Sequence, residues 1–248
     1  MPPKHEIINW YEKIPSKFIL KSHNPHIKIH NIKLPFRMLI CGSSGSGKTN
    51  TLLNLIHIMP DTFEHIYVTT KNADEPLYNF LKEKLEKVSF KITEGVENLP
   101  VLDKLDKESQ TLIIMDDLVG EKNQQQMCDY FLRARKKNAS LIYITQSYYQ
   151  VPKMIRNNLT YLIIKQISSM RNLAMIAREY ETGMDKNELI SIYKQATKSK
   201  FDFLMIDLEG DPDKMFRKNF DEYYCIPEDE SDDEVDKRGG MITLEKMK

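Results

Sequence analysis

The sequence predicts an α/β fold with a mostly parallel central sheet flanked by helices. Through the middle of the chain, short apolar segments alternate with longer helical segments. The apolar segments also lack the every-second-residue polarity of a half-exposed strand, which is typical of a parallel sheet covered on both faces. A third observation adds a C-terminal β-hairpin, because two strand-like segments flank the turn sequence EGDPD.

The elements follow one another in β-α order. Strands are expected over 37–41, 64–70, 111–115, 139–145 and 161–165. Helices are expected over 48–58, 75–87, 121–137, 151–157, 171–181 and 185–198. The hairpin joins 201–208 to 214–220.

Before the first of these strands, residues 26–30 alternate between polar and apolar and indicate a further short strand. Its two histidines, His26 and His30, follow His23 closely. Neither a cysteine nor an acid accompanies the three histidines, which favours a solvated strand face over a metal site.

Composition divides the 248 residues into three parts. Residues 1–36, with five prolines, are expected to form an N-terminal extension, and residues 37–226 are expected to form a single large domain. Residues 227–248 hold eight acidic and four basic side chains, so this tail carries −4 and the rest of the chain +4. Its run EDESDDEVD predicts disorder.

Several classes of protein are disfavoured by the sequence. No run of 18 apolar residues exists to span a membrane, and the N-terminal MPPKHE lacks the apolar segment of a secretory signal. The three cysteines lie far apart without a C-x-x-C pair, which argues against a disulfide or zinc scaffold. We therefore expect a protein of a reducing compartment that is not secreted.

The segment MLICGSSGSGKTN, residues 38–50, carries the pattern G-x-x-x-x-G-K-[ST] between a predicted strand and a predicted helix. Small residues let backbone N–H groups approach a phosphate, and the start of the helix adds its unpaired amides and its dipole. The pattern predicts a P-loop NTPase that binds ATP and Mg²⁺, with Lys48 reaching the β- and γ-phosphates and Thr49 binding the metal ion. The expected nucleotide-binding residues are Gly42, Ser43, Ser44, Gly45, Ser46, Gly47, Lys48, Thr49 and Asn50.

Polar residues also follow two other predicted strands. Asp116 and Asp117 come directly after 111–115, and Gln146 comes after 139–145. Because the carboxyl ends of parallel strands meet at one edge of a sheet, these side chains are expected beside the phosphate loop. Asp116 would hold Mg²⁺, Asp117 would orient or deprotonate the attacking water, and Gln146 would contact the γ-phosphate or that water. The alternatives are a helix N-cap with a solvated neighbour for the acids, and an ordinary loop residue for Gln146.

The basic segment YFLRARKKN, residues 130–138, ends a predicted amphipathic helix. Its apolar face consists of Met127, Tyr130, Phe131 and Ala134. Arg133 lies on the opposite face and Arg135 at its edge. Such a segment is usually a solvated face, but it also suits an arginine finger offered to a neighbouring subunit, or a phosphate-binding patch for DNA.

Taken in order, the phosphate loop, LIIMDDL and FLRARKKNASLIYITQSYYQVPKMIRNNLTYLIIK resemble the genome-packaging ATPases of large eukaryotic double-stranded DNA viruses and virophages. These belong to the FtsK–HerA branch of P-loop motors, and the resemblance covers about residues 25–225. It implies an ATP-driven homo-oligomeric ring, a hexamer or pentamer, that pumps double-stranded DNA into a capsid and contacts a capsid or portal component. It also implies a location in the host cytoplasm or viral factory, with association with the virion as a further possibility.

The resemblance assigns roles as well. Lys48, Asp117 and Gln146 would act in catalysis, with Asp116 and Thr49 on Mg²⁺. Arg133 is the first choice for an arginine supplied in trans, and Arg135 and Arg156 are the next candidates.

Three other functions are compatible with a P-loop site. They are a HerA-like translocase in DNA processing, a small-molecule kinase, and a nucleotide-bound structural subunit that does not hydrolyse. The complete set of Lys48, Thr49, Asp116 and Asp117 argues against the last of these.

Overall fold

The computed structural model describes residues 7–85, 87–180, 186–225 and 243–246. Its ten strands are β1 (Arg37–Cys41), β2 (His65–Thr70), β3 (Ser89–Glu94), β4 (Thr111–Asp116), β5 (Ala139–Thr145), β6 (Tyr161–Ile164), β7 (Leu204–Asp207), β8 (Phe216–Lys218), β9 (Glu222–Cys225) and β10 (Thr243–Lys246). Its α-helices are α1 (Ile27–His30), α2 (Lys48–Ile58), α3 (Pro76–Lys84), α4 (Gln124–Arg133), α5 (Lys153–Arg156), α6 (Met170–Glu179) and α7 (Lys186–Ala196).

The strands form one sheet in the order β10-β9-β8-β7-β6-β1-β5-β4-β2-β3. The six strands from β6 to β3 are parallel, and β7 to β10 are added antiparallel at one side. The predicted fold class is confirmed, including the hairpin, in which β7 pairs with β8. The parallel strands share a carboxyl edge, which collects their loops.

Both faces of the sheet are covered, which explains the uninterrupted apolar strands. Along β1, Met38 and Ile40 belong to one buried cluster, while Leu39 and Cys41 belong to the other. Helices α2 and α3 pack on the first face, whereas α4, α6 and α7 pack on the second. The apolar face predicted for α4 is buried as expected.

Residues 26–30 are not a strand. Ile27–His30 form one helical turn that ends at Asn31, whose φ of 47° is left-handed. His30 is fully buried rather than solvated, because its Nδ1 accepts the backbone N–H of Ile32 at 3.0 Å. The alternation of polar and apolar residues does not predict this contact, which holds the His30 side chain on the buried side.

Other differences lie at the ends of elements and at the sheet edges. The helix expected over 121–137 is shorter: α4 ends at Arg133, and Ala134–Lys137 form a 3₁₀ turn. The edge strands β3, β9 and β10 were not predicted. The tail, residues 227–248, was expected to be disordered, but within it β10 is a strand that pairs with β9. The other residues of the tail lie outside the described part.

Residues 181–185, at the predicted boundary between α6 and α7, also lie outside the described part. Within the described residues, none of the helices combines the length and apolarity that crossing a bilayer requires.

Candidate nucleotide-binding site

The phosphate loop connects β1 to α2 and depends on its glycines, one of which, Gly45, has a left-handed φ of 70°. Gly47 has a φ of 85°, a left-handed conformation that most side chains disfavour, and α2 begins immediately after it. A Cβ on Gly42 would lie 2.5 Å from the Cβ of Lys165 and 2.6 Å from Ser46 Oγ, so a larger residue does not fit there. The loop therefore turns tightly onto the start of a helix, where the first amides have no partner within the helix.

Two neighbouring strands hold the loop in place. Gly42 donates its N–H to the carbonyl of Thr145 at the end of β5, at 3.2 Å. Ser43 donates to the carbonyl of Gln166 at 2.9 Å, and its Oγ accepts the N–H of Ser168 at 2.8 Å. These contacts lie just beyond β6, so the loop is fixed on both sides of β1.

Lys48 folds back over the loop that precedes it. Its Nζ donates to the carbonyls of Gly42 at 3.0 Å and Ser43 at 3.1 Å. Burial lowers the pKa of this lysine, while the negative charges of Asp116 and Asp117 oppose that shift. The ammonium thus lies between the loop and the two acids, where an anion would exchange for the neutral carbonyls.

Asp116 is the last residue of β4 and is held from the side by α3. Its Oδ2 accepts the hydroxyl of Tyr78 at 2.7 Å. Burial raises the pKa of Asp116, the Tyr78 hydrogen bond lowers it, and the charge of Asp117 raises it again, so the net shift is upward. A carboxylate in this setting gains by binding a cation.

Asp117 adopts an unusual backbone conformation. Its φ is 55°, in the left-handed region, and its N–H donates to the carbonyl of Ile144 at 3.0 Å. Gln146, which follows β5, places its Nε2 at 3.5 Å from Asp117 Oδ2. This contact is at the outer limit of a hydrogen bond, so both polar groups are available to a ligand.

These residues border one pocket of about 510 Å³ at the carboxyl edge. Its walls consist of Ser44, Gly45, Gly47, Lys48, Thr49, Asn50, Glu75, Leu77, Asp116, Asp117, Gln146 and Phe201. Ser43 and Ser46 line an adjoining cavity instead, and Gly42 is buried beneath the loop. The Thr49 hydroxyl and the Asp116 carboxylate supply the oxygen ligands that Mg²⁺ prefers, so the residues present fit this ion.

The three candidate arginines lie elsewhere, and none lines this pocket among the residues that the structure describes. Arg133 Nη2 lies 3.1 Å from Asp103 Oδ1, with Lys137 Nζ at 3.2 Å from the same oxygen. These two cations lower the pKa of Asp103. Arg135 is exposed in the 3₁₀ turn after α4.

Arg156 is in a different environment from the other two arginines. It is only 6% exposed, pairs with Glu179, and donates from Nε to the carbonyl of Val151 at 3.0 Å. Its guanidinium carbon also lies 5.2 Å from the centre of the Tyr148 ring. In this conformation Arg156 holds the β5–β6 connection together and is not presented to a neighbour.

Sequence reasoning missed Glu75 and Phe201 in the pocket wall, and also Tyr78, which is buried and donates to Asp116. Thr70 at the end of β2 pairs with Asp116, so the segment after β2 reaches the site. Polar residues after 64–70 were the available signal for Glu75 and Tyr78. Phe201 precedes an antiparallel strand, and no motif marks it.

Comparison with known proteins shows to which family this chain is related. The family model for the poxvirus A32 protein matches residues 28–241. The DNA packaging proteins OPG160 of Variola virus and of Vaccinia virus (strain Western Reserve) are each 31% identical over 149 residues. The aligned region is 55% of this chain and 55% of each relative, so the chain spans about half the length of the relatives it matches.

Solved structures with the same fold include viral and bacterial proteins. The genome packaging NTPase B204 from Sulfolobus turreted icosahedral virus 2, in complex with AMP, has a TM-score of 0.55 at 14% identity. The match covers 76% of this chain and 98% of that one. The cytoplasmic domain of the type VII secretion ATPase EccC from Thermomonospora curvata has a TM-score of 0.51 at 15% identity, over 78% of this chain and 26% of that one. These likenesses show that the chain shares the fold of these proteins, and because the family model covers most of the sequence, the chain belongs to the poxvirus A32 protein family.

Proposed function

We propose that this chain is an ATPase motor that moves double-stranded DNA into a viral capsid. The observation that carries the proposal is the pocket in which the phosphate loop, Lys48 and Thr49 face Asp116 and Asp117. The DNA part of the proposal is supported by family membership and by the relatives, which are named DNA packaging proteins. Residues 37–226 would form the motor domain.

Binding would use groups that are already in position. The amides of the loop and of the first turn of α2 would surround the phosphates. Lys48 would leave the carbonyls of Gly42 and Ser43 for the β- and γ-phosphates. Thr49 and Asp116 would hold Mg²⁺, which when bound neutralises charge on those phosphates.

Hydrolysis would depend on the side chains of Asp117 and Gln146. Asp117 would accept a proton from water as the water oxygen attacks the γ-phosphorus, and Gln146 would orient that water. Because the contact between Gln146 and Asp117 is weak, both polar atoms could turn toward one water that approaches them from the pocket. The bond between the γ-phosphorus and the β–γ bridging oxygen then breaks, which releases ADP and phosphate.

Coupling to DNA would require more than one subunit. The pocket contains Lys48 as a cation but no arginine among the described residues, so a charge for the transition state would come from a neighbour. Identical subunits that contact head to tail close into rings, and a ring can encircle a duplex. We propose a hexamer or pentamer that contacts a capsid or portal component in the host cytoplasm or viral factory.

The test is steady-state ATP hydrolysis by the purified full chain, with and without long duplex DNA. We expect turnover that rises several-fold with DNA. Lys48→Ala is expected to lose activity by at least about 10²-fold, because it removes the positioned cation. Lys153→Ala, which changes an exposed lysine on α5, is the matched control and should retain activity.

Two results would contradict the proposal. Turnover unaffected by DNA of any length would favour a kinase-like enzyme. The absence of turnover in the presence of bound nucleotide would favour a structural subunit.

A further inference from the structure

Phe201 is an aromatic residue in an unusual place. Its side chain is 59% exposed, although it lies at the wall of the nucleotide pocket. Its Cδ1 is 3.2 Å from where a Cβ on Gly47 would be, so the ring packs against the last glycine of the phosphate loop. The exposed face of the ring is therefore accessible to a flat ligand that occupies the pocket.

A second pocket of about 460 Å³ begins on the other side of this ring. Phe201 and Asn50 border both pockets, and Asn50 belongs to the first turn of α2. The walls of the second pocket are completed by Thr51, Asn54, Asp202, Phe203, Asn219 and Phe220. Part of a ligand that extends from the phosphate loop along α2 would therefore enter this second pocket.

Two polar side chains, those of Lys165 and Asn219, fix the wall that carries Phe201. Lys165, which is fully buried just after β6, donates from Nζ to the carbonyl of Phe201 at 2.6 Å. Asn219, with a φ of 56°, accepts the N–H of Phe203 at 3.2 Å and donates to Asp202 Oδ1 at 3.2 Å. The ring and the Asp202 carboxylate are thus positioned before any ligand binds.

The rest of the pocket combines an apolar base with hydrogen-bonding edges. Phe203 and Phe220 pack edge to face with their ring centres 4.9 Å apart. Asn54 donates a hydrogen bond from Nδ2 to the carbonyl of Asn50 at 2.8 Å. The Oδ1 of Asn54 is then left as an acceptor. Asp202 adds a carboxylate, whose Oδ1 accepts from Asn219 and whose Oδ2 lies 3.8 Å from Lys218 Nζ, and each oxygen keeps a lone pair for a ligand. A flat heterocycle that carries an exocyclic amino group suits this surface, since both edge groups accept hydrogen bonds.

We propose that this second pocket binds the nucleobase, with the base stacked on Phe201 and its amino group facing Asp202. The inference rests on the proposed nucleotide site and extends it to base recognition. With the 6-position of the purine toward Asp202, the carboxylate accepts a hydrogen bond from the 6-amino group of adenine and repels the 6-oxo group of guanine. Guanine would have to turn its N1–H and 2-amino edge to the carboxylate, so in this orientation the pocket favours ATP over GTP.

The experiment compares a slowly hydrolysed ATP analogue with inorganic tripolyphosphate, each titrated calorimetrically into the full chain with Mg²⁺. Tripolyphosphate reports the phosphate loop alone, and the analogue reports both pockets. Phe201→Ala should weaken the analogue about 10-fold, the order of a base–aromatic stack, and leave tripolyphosphate unchanged. Phe201→Tyr, which keeps the ring, should bind both like the parent chain.

The outcomes separate the two proposals. Equal binding of the analogue by Phe201→Ala and the parent chain would overturn the base pocket and leave the phosphate site standing. Loss of tripolyphosphate binding in Phe201→Ala would also overturn it, because the ring would then support the loop. If the parent chain binds neither probe, the proposed function fails and the base pocket fails with it.

A second comparison tests the edge contact. The parent chain should bind the ATP analogue about 10-fold tighter than the GTP analogue, and Asp202→Asn should reduce that ratio to about 3-fold or less. Asparagine keeps the Oδ1 acceptor that Asn219 uses, so the wall stays braced. An unchanged ratio in Asp202→Asn would remove this residue from base selection.

Discussion

The unit β4–α4–β5 carries acids at one edge of the sheet and arginines at the other. Asp116 and Asp117 stand where β4 ends, beside the phosphate loop. Helix α4 then runs back across the sheet, so Arg133 and Arg135 come just before β5 begins at Ala139. One short segment thus supplies anions to its own pocket and cations to the opposite edge, away from that pocket.

The two edges also differ in how their charges are held. At the carboxyl edge, burial raises the pKa of Asp116, and Lys48 contacts only neutral carbonyls. At the amino edge, Asp103 is exposed, and its pKa is lowered by Lys137 and Arg133. Exposed ion pairs exchange partners readily, because water and salt screen them. The difference suggests a prepared ligand site at one edge and exchangeable contacts at the other.

The largest expected effect concerns Arg133. If it completes a neighbour's site, Arg133→Ala should lower hydrolysis by roughly 10³-fold or more. Mixing it with Lys48→Ala, which keeps Arg133, should restore part of the activity, because some interfaces then pair an intact loop with an intact arginine. The measurement is turnover of the mixture against each variant alone.

Controls for this experiment come from the same segment. Lys136→Ala changes an exposed neighbour and should keep full activity alone. Arg135→Ala identifies the alternative finger if it complements Lys48→Ala and Arg133→Ala does not. Arg156→Ala should instead lower thermal stability, since it removes the buried cation that pairs with Glu179. A mixture that stays inactive in every combination would contradict a finger supplied in trans.

The next effect separates the two acids. Asp117→Asn should bind ATP normally and hydrolyse it about 10²- to 10³-fold more slowly, because an amide cannot accept the proton. Asp116→Asn should instead raise the Mg²⁺ concentration needed for half-maximal turnover. Single-turnover hydrolysis over a Mg²⁺ titration distinguishes them. Full turnover in Asp117→Asn would mean that the base is another group.

The sequence was sufficient to predict the parts of the site whose positions follow from neighbouring residues in the chain. A strand, a glycine-rich loop and a helix leave few arrangements, and acids after a parallel strand must lie at its carboxyl edge. Hence Lys48, Thr49, Asp116 and Asp117 were predicted to converge, and they border one pocket. Their chemical roles remain predictions.

The rest depended on strand order and single contacts. Tyr78 reaches Asp116 only because β2 lies next to β4, which no local pattern specifies. Phe201 lies about 150 residues after the loop, just before the antiparallel strand β7. It reaches the site because β7 pairs with β6, with Leu204 opposite Ile164. Strand β3 was missed because, as an edge strand, it is half-exposed and not continuously apolar. His30 was misjudged because one backbone hydrogen bond turned it inward.

A smaller effect tests the amino edge. Asp103→Asn removes the acid that holds Arg133 and Lys137, so a DNA-facing edge should bind duplex DNA about 3-fold tighter at low salt. The gain should vanish at high salt. Asp74→Asn makes the same charge change beyond the carboxyl end of β2 and should leave DNA affinity as it was. Equal gains from both variants would indicate a general charge effect and not a DNA-facing edge.

The smallest expected effect concerns Tyr78, whose hydroxyl donates to Asp116 at 2.7 Å. That hydrogen bond stabilises the ionised carboxylate, whereas burial and the charges of Asp117 and Glu75 favour the protonated form. Tyr78→Phe should therefore raise the pKa of Asp116 further, because the carboxylate loses a hydrogen bond that stabilises its ionised form. Since ionised Asp116 would hold Mg²⁺, the acid limb of kcat/KM should move to higher pH, while turnover at pH 8 stays within about 3-fold. Profiles from pH 5 to 9, with exposed Tyr149→Phe as the control, measure the shift. A Tyr78→Phe profile that overlays the parent would show that Asp116 does not need this hydroxyl to stay ionised.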